Sequence, residues 1–394
     1  MINRRRFLAE MCAGIAAGPA IGAWARAGLS GPAIGAGTRT DAPGPEPRHL
    51  HAAPAGSLRD RAAARGLFFG AAATRWVLER DAAFAARFGA ECGVLVPESE
   101  LKWNRVHPEP NRFDFSGADW LAEFARSHGM RLRGHALVYF RNEPAWVASA
   151  ARGGDAARTL RAHIAAVAGR YAGRMHSWDV VNEILELNDR RRDGLRRTPL
   201  LERLGPEFVP MAFEAAAAAD PNALLVWNEN QLEYDVPYQE ARREAVLRLL
   251  QGWRAAGVPI QALGIQSHLR QHATAFNANR YRAFLGQVAA LGLKIIISEL
   301  DVFDADLPAD RAARDQAVAA AYSEYLAAAL DERAVIGVIT WGLSDRYTWL
   351  SSYRPRRDGA GARPLPLDTD LQPTAAWHAI ARAFDGAPAR KDSG

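Results

Sequence analysis

Two glutamates follow apolar runs typical of buried β-strands, and they are the residues of this chain best placed to do chemistry. Glu183 follows the run at 177–182, and Glu299 follows the run at 295–298. A carboxylate at the end of an apolar strand is disfavoured unless it is hydrogen-bonded or functional. On two strands of one barrel, such groups can face each other across the mouth, as glycoside hydrolysis requires. The pattern alone leaves two other interpretations open: a residue that starts a helix, or a partner in a structural ion pair.

The elements that must position these glutamates alternate regularly from about residue 60. Eight strand candidates lie at 67–71, 94–97, 131–138, 176–182, 224–227, 263–268, 294–299 and 335–341. Stretches with helical spacing lie between them, most clearly at 208–219, 240–256 and 310–330. This alternation predicts an α/β fold, a single (β/α)8 TIM barrel rather than an open sheet. The active site of such a barrel lies at the C-terminal ends of its strands, where both glutamates fall.

Composition excludes several classes of protein. The 394 residues are 49% hydrophobic and 24% charged, which rules out a disordered chain, a collagen-like chain and a small disulfide-stapled scaffold. The formal net charge is +5, and +3 of it lies within residues 1–27. Residues 28–394 therefore carry a net charge of only +2, which does not indicate a nucleic-acid partner.

The N-terminus resembles an export signal. Asn3-Arg4-Arg5-Arg6-Phe7-Leu8 precedes an apolar stretch at 11–23 and small residues at 23, 25 and 27. This pattern predicts a twin-arginine signal peptide over 1–27 and export to the periplasm or the medium. An uncleaved N-terminal anchor helix is the alternative. We further predict a flexible Pro/Gly/Ala tether at 28–59, the barrel at 60–385 and a polar tail at 386–394.

Motifs along the chain resemble those of glycoside hydrolase family 10, the β-1,4-xylanase family. The acid/base motif is matched by Trp178-Asp179-Val180-Val181-Asn182-Glu183, and the nucleophile motif by Ser298-Glu299-Leu300-Asp301. Further matches are Glu98-Ser99-Glu100-Leu101-Lys102-Trp103, Gly134-His135-Ala136-Leu137-Val138, Gln266-Ser267-His268-Leu269 and Trp341-Gly342-Leu343-Ser344-Asp345-Arg346-Tyr347-Thr348-Trp349. They occur in the family's order at the spacing of barrel strands, from about residue 60 to 385.

The resemblance implies a role for each matched position. Glu299 would be the nucleophile and Glu183 the acid/base of a retaining mechanism, which proceeds through a covalent glycosyl-enzyme. The residues implied to support these two carboxyl groups are His268, Asp301, Asn182, Gln266 and Asn228. Of these, Asn182 would hold the sugar 2-hydroxyl.

Sugar-binding positions are also implied, namely Glu98, Lys102, His135, Tyr139, Trp341 and Trp349. Indole rings suit a pyranose because their apolar face covers its C–H groups. Core packing remains an alternative for the two tryptophans, and a purely structural role remains one for His135.

Three segments depart from the family pattern, on the side that would hold the glycone. Ser99 replaces an Asn, Val138-Tyr139-Phe140 replaces Val-Trp-His, and Asn228-Glu229-Asn230-Gln231 replaces Asn-Asp-Tyr-Asn. These changes leave the catalytic carboxylates in place but alter groups that would hold the sugar.

The resemblance therefore implies an endo-1,4-β-xylanase that needs no cofactor or metal. A retaining β-glycosidase of altered glycan specificity and a non-catalytic glycan-binding protein are the alternatives. The expected partner is xylan or a xylo-oligosaccharide, with no nucleic acid and no stable membrane association after signal removal. The enzyme is expected to act as a monomer.

Overall fold

The computed structural model describes residues 56–270 and 276–390. The predicted signal peptide, nearly all of the predicted tether and the end of the predicted tail lie outside the described residues. The strands, numbered β1 to β10 in chain order, are Phe68–Ala73, Val94–Pro97, Arg131–Gly134, Val138–Tyr139, Met175–Asn182, Leu224–Glu229, Ala262–Ile265, His268–Leu269, Lys294–Val302 and Val335–Thr340.

Eight of these strands close into a parallel barrel. The order is β1, β2, β3, β5, β6, β7, β9, β10, and β10 pairs with β1 in the register Phe68↔Gly337. The two short strands, β4 and β8, pair with β5 and β9 at their C-terminal ends. The predicted (β/α)8 barrel is confirmed.

Helices connect the strands and cover the outside of the barrel. Numbered α1 to α14, they are Leu58–Ala63, Arg75–Arg80, Ala82–Glu91, Trp103–Val106, Ser116–Ser127, Ala145–Arg152, Ala156–Arg170, Pro199–Leu204, Phe208–Ala219, Pro237–Ala255, Ala278–Ala290, Arg311–Ala329, Leu350–Tyr353 and Ala375–Gly386. Local sequence explains several starts: Asp81, Thr198 and Asp310 each accept a hydrogen bond from a first-turn backbone N–H. Proline is the first residue of α8 and α10, where its missing N–H costs no hydrogen bond.

The core has two layers separated by the sheet. Ile296 packs inside the barrel with Phe68, Val226 and Ile339, while Ile295 and Ile297 belong to the larger layer between strands and helices. Because both faces of each strand are buried, the strand sequences are nearly continuous apolar runs.

Two predicted strands are in fact interrupted. The candidate at 131–138 ends at Gly134 and resumes as β4, with a cis peptide bond between His135 and Ala136. The candidate at 263–268 breaks before β8, where Ser267 has φ of 65°, a left-handed conformation that no strand residue adopts. Both breaks lie at the C-terminal rim, where the backbone turns side chains into the mouth.

Candidate active site

One hydrogen-bond network joins the two strand-end glutamates. The Nδ2 group of Asn228 donates to Glu299 Oε1 at 2.7 Å and to Asn182 Oδ1 at 2.9 Å. Gln266 Nε2 donates to Glu183 Oε1 at 3.1 Å and lies 3.3 Å from the same Asn182 oxygen. The side chains of four strand ends therefore place both carboxyl groups in one site at the C-terminal face of the barrel.

Barrel register explains the central position of Asn228. Asn228 lies opposite Asn182 on β5 and opposite Gly264 on β7. A Cβ at Gly264 would come within 2.2 Å of Asn228 Oδ1, so only glycine leaves room for this side chain. Ser298 Oγ donates to the same oxygen at 2.6 Å, which turns the amide N–H groups toward Asn182 and Glu299.

Glu299 lies in surroundings that favour its charged form. Burial opposes its ionisation, but the hydrogen bond from His268 and the positive charge that His135 and His268 can carry bring its pKa below the ordinary value. His268 Nε2 is 3.3 Å from Glu299 Oε2, and its Nδ1 is 2.8 Å from Asp301 Oδ1. Burial disfavours the imidazolium, yet the two carboxylates outweigh it and raise the pKa of His268 to about 10. At neutral pH His268 thus carries both protons and donates to Asp301 and Glu299.

Asp301 acts on Glu299 through its neighbours rather than by direct contact. Its second oxygen accepts a hydrogen bond from Trp349 Nε1 at 2.8 Å, and its first binds His268. The Trp349 ring lies 5.3 Å from the His268 ring. Asp301 therefore orients both an imidazole and an indole at the mouth.

Glu183 has a different environment. Tyr139 Oη donates to Glu183 Oε1 at 3.0 Å, and Arg141 Nε lies 3.9 Å from Oε2. The backbone of Glu183 has φ of 53°, and its carbonyl accepts a hydrogen bond from Arg196 Nε at 3.0 Å. The donors to the Glu183 carboxyl within the described residues are thus neutral groups, with one guanidinium slightly farther away.

The predicted sugar-binding residues fall into separate groups. Trp341 packs edge-on against His135 at 5.2 Å between ring centres, and Lys102 Nζ lies 5.9 Å from the Trp341 ring. Burial raises the pKa of Glu98, and the charge of Glu299 adds to this, while Lys102 opposes it. Glu98, Lys102, His135 and Trp341 therefore share one side of the mouth. Tyr139 connects this group to Glu183, because its ring lies 6.3 Å from the His135 ring and its hydroxyl is bound to Glu183.

Other polar residues of the site were not identified from the sequence. Asp179 accepts hydrogen bonds from His135 Nδ1, at 2.9 Å, and from Arg133, which also donates to Ser177 Oγ at 3.0 Å. All three of Arg133, Ser177 and Asp179 are buried. The available signal was their presence at alternate positions of otherwise apolar strands, where inward-facing side chains lie.

Two of the substituted positions are explained by their contacts. Asn230 Oδ1 accepts a hydrogen bond from Arg242 at 2.9 Å, beside the ion pair that Arg242 forms with Glu229 at 2.6 Å. Phe140 packs under the Arg196 guanidinium, 4.0 Å from the ring centre.

Within the described residues there is no group of three or more His, Cys, Asp or Glu side chains arranged to hold a metal ion. The helices in the described part of the chain include none with the length and apolar character needed to cross a membrane.

Comparison with known proteins identifies the family. The sequence pattern of glycosyl hydrolase family 10 matches residues 57–383. The chain is 33% identical to endo-1,4-beta-xylanase 2 of Claviceps purpurea, over 80% of this chain and 86% of the relative. It is 32% identical to endo-1,4-beta-xylanase B of Paenibacillus barcinonensis, over 77% of this chain and 91% of the relative.

A solved structure of similar fold is xylanase 10B from Thermotoga petrophila RKU-1 in complex with xylobiose. It superposes with a TM-score of 0.74 at 28% identity, over 85% of this chain and 98% of that chain. With the motifs in order on a closed eight-stranded barrel, these matches show that the chain belongs to glycosyl hydrolase family 10.

Proposed function

We propose that this protein is a retaining endo-1,4-β-xylanase that cleaves xylan by double displacement. The observation that carries the proposal is the unequal environment of two carboxyl groups joined by one network. Glu299 is held charged by His268 and Asn228, as a nucleophile requires, whereas Glu183 receives neutral donors from Tyr139 and Gln266. The family membership and the xylanase names of the relatives support xylan as the substrate.

In the first step, a Glu299 oxygen attacks the anomeric carbon and forms a glycosyl ester. The bond from that carbon to the leaving oxygen breaks, and Glu183 gives its proton to this oxygen. In the second step, Glu183 removes a proton from water, whose oxygen displaces Glu299 from the sugar. Two inversions at one carbon retain its configuration.

The supporting residues have distinct parts in this proposal. His268 and Asn228 stabilise the Glu299 carboxylate before attack and while it leaves in the second step. Asn182 Oδ1 already accepts from Asn228 and lies within 3.3 Å of Gln266, so its Nδ2 group is the one suited to hold the sugar 2-hydroxyl. That contact strengthens as positive charge develops on the ring.

We assign sugar binding to the group formed by Glu98, Lys102, His135 and Trp341, together with Trp349. Indole faces stack on the pyranose, while charged side chains bind its hydroxyls. The pocket beside Glu183 is lined by Val138, Phe140, Glu143, Ile184, Thr198 and Phe208, with Arg196 and Asn182.

Product analysis on a panel of β-glycans tests the proposal. Xylan, β-glucan, β-mannan and aryl β-xylosides would be incubated with the full chain, and products identified by chromatography. We expect xylo-oligosaccharides of several lengths from xylan, with the β-anomer formed first in proton NMR spectra. Initial formation of the α-anomer would contradict the retaining mechanism.

The same panel tests altered glycan specificity as a second candidate. This candidate is favoured by Asn230, whose side-chain oxygen is bound to Arg242, and by Tyr139, which is bound to the carboxyl group of Glu183. Turnover of another β-glycan without release from xylan would establish this candidate and overturn the xylanase assignment.

We also propose that the protein is exported by the twin-arginine route and acts as a monomer. The support for export is the Arg4-Arg5-Arg6-Phe7-Leu8 motif with its following apolar stretch. Replacing Arg4 and Arg5 by Lys should retain the enzyme in the cytoplasm, as measured by activity in cell fractions.

The monomeric state is tested by size-exclusion chromatography with light scattering. A monomer should give a mass near 43 kDa or slightly below.

A further inference from the structure

The two oxygens of the Glu183 carboxyl group have different neighbours. Oε1 accepts hydrogen bonds from Tyr139 Oη at 3.0 Å and from Gln266 Nε2 at 3.1 Å. Oε2 has Arg141 Nε at 3.9 Å. The backbone is held at both donor residues. Tyr139 in β4 pairs with Asn182 in β5, and the Gln266 backbone N–H donates to the Glu229 carbonyl at 3.0 Å.

This asymmetry determines where the acid proton of Glu183 is located. A proton on Oε1 would point at groups that are themselves donors, and one of those hydrogen bonds would be lost. A proton on Oε2 preserves both. Tyr139 Oη could accept that proton only by turning its own O–H to another acceptor, and within the described residues the acceptor of this O–H is Glu183 itself.

We infer that Tyr139 is a positioning residue for the acid/base step, because its hydroxyl holds Glu183 Oε1 and leaves Oε2 to exchange the proton with the glycosidic oxygen and with water. The inference rests on the proposed function, in which Glu183 is the acid/base. The resemblance implies that Tyr139 binds sugar, whereas this inference gives it a role in positioning the acid/base.

The hydroxyl also affects the balance between the two forms of Glu183. A donor at 3.0 Å stabilises the carboxylate more than the neutral acid, since hydrogen bonds to charged groups are the stronger ones. Arg141 adds a positive charge on the side of Oε2, and its guanidinium lies 5.0 Å from the Phe140 ring centre. Removing the hydroxyl should therefore keep Glu183 protonated to higher pH and make it a weaker acid.

The test is Tyr139→Phe in the full chain, measured as kcat/KM against pH. We expect the alkaline limb to move upward by about one pH unit. On the plateau below this limb, the rate on xylo-oligosaccharides should fall about threefold, because a weaker acid donates its proton less readily. Aryl β-xylosides with good leaving groups should be much less affected, because their departure needs little proton donation.

Tyr171→Phe is the matched control. Tyr171 is buried, like Tyr139, and its hydroxyl donates to the carboxylate of Asp119 at the same distance of 3.0 Å, but outside the site. This variant should keep the wild-type pH profile and the wild-type dependence on the leaving group.

Incorporation of 3-fluorotyrosine at position 139 provides a nearly isosteric second test should Tyr139→Phe fail to fold. The fluorinated phenol is a stronger donor, so it should move the alkaline limb downward. An unmoved limb in the folded variants, with only KM changed, would show that Tyr139 merely lines the cleft. Failure of the proposed function has a different signature, since the wild type would then cleave none of the β-glycans or Glu183→Ala would leave the rate unchanged.

Discussion

The chemistry of single residues depends on partners that sequence spacing does not reveal. Glu183 directly follows β5, and Glu299 lies toward the C-terminal end of β9. The hydrogen-bond donors to Glu183 are neutral, with Arg141 3.9 Å away, whereas Glu299 accepts from Asn228 and from a protonated imidazole. The difference follows from His268, whose charge is maintained by Asp301. Two residues of one type thereby become suited to opposite roles.

Replacing Glu183 by Ala should separate the two steps of catalysis. On xylan we expect kcat/KM to fall by about 10²- to 10⁴-fold, because no group protonates the leaving oxygen. With an activated aryl β-xyloside, glycosyl-enzyme should still form, and added azide should accelerate its breakdown to a β-glycosyl azide. Glu202→Ala, an exposed glutamate on α8, is the control and should behave as wild type. Absence of an azide product would contradict the acid/base assignment.

Replacing His268 by Gln should change the acidic limb of the pH–rate profile. The variant removes a positive charge beside Glu299, whose pKa then rises because burial is less well opposed. Activity requires ionised Glu299, so the acidic limb should move to higher pH, by about one unit. The measurement is kcat/KM from pH 4 to 8, with His128→Gln, an exposed histidine, for comparison. An acidic limb in its wild-type position would refute this role of His268.

At the scale of elements, helix α10 secures the segment that follows Glu183. Arg242 on this helix donates to Glu229 at 2.6 Å and to the Leu185 carbonyl at 3.3 Å. Glu229 in turn accepts the Leu185 backbone N–H at 3.1 Å. Because Glu183 has a left-handed backbone, these bonds and the one from Arg196 help to hold a conformation that glutamate rarely adopts.

Replacing Arg242 by Met should destabilise the protein, because the buried Glu229 carboxylate loses its partner. We expect a loss of about 3–5 kcal/mol in the free energy of unfolding. Arg248→Met, on the exposed side of the same helix, should cost less than about 1 kcal/mol. Chemical denaturation of both variants gives the comparison, and adding Glu229→Gln to Arg242→Met should recover part of the loss. Equal stability of the two single variants would show that the ion pair contributes nothing.

At the scale of the whole molecule, buried histidines link stability to pH. His163 Nδ1 lies 3.2 Å from His107 Nδ1, and burial lowers the pKa of both, well below the ordinary value for His163. Burial and nearby arginines lower the pKa of His176 to about 3. Each group binds its proton more weakly in the folded state than in the unfolded state. Their contribution is present above about pH 6.5 and is lost as the pH falls toward the folded pKa values.

His163→Gln should therefore weaken the acid dependence of stability. The amide remains neutral at every pH, so the drop in Tm between pH 7 and pH 5 should be smaller than in the wild type. His128→Gln is exposed and should leave the drop unchanged. Thermal unfolding followed by circular dichroism measures both, and an identical slope in His163→Gln would contradict the prediction.

The sequence by itself determined the barrel and the position of its two glutamates. Both faces of each strand are buried in a barrel, so each strand is a short, nearly continuous apolar run. All eight strand candidates were therefore recognisable from the sequence. Motif order then indicated the family. The strand breaks after Gly134 and at Ser267 were not predicted. They depend on local backbone conformations at the barrel rim, which do not change the pattern of apolar residues.

Tertiary structure alone decided which side chains meet. Asn228, Asn182 and Gln266 together link the two carboxyl groups. Asn228 can do this because the register of β5, β6 and β7 places it between Asn182 and the space left by Gly264. Tyr139 reaches Glu183 because β4 pairs with β5 beyond the break in the predicted strand. These hydrogen bonds join residues 44 to 84 positions apart in the chain, so only the closed sheet, whose geometry brings distant strand ends together, could place them.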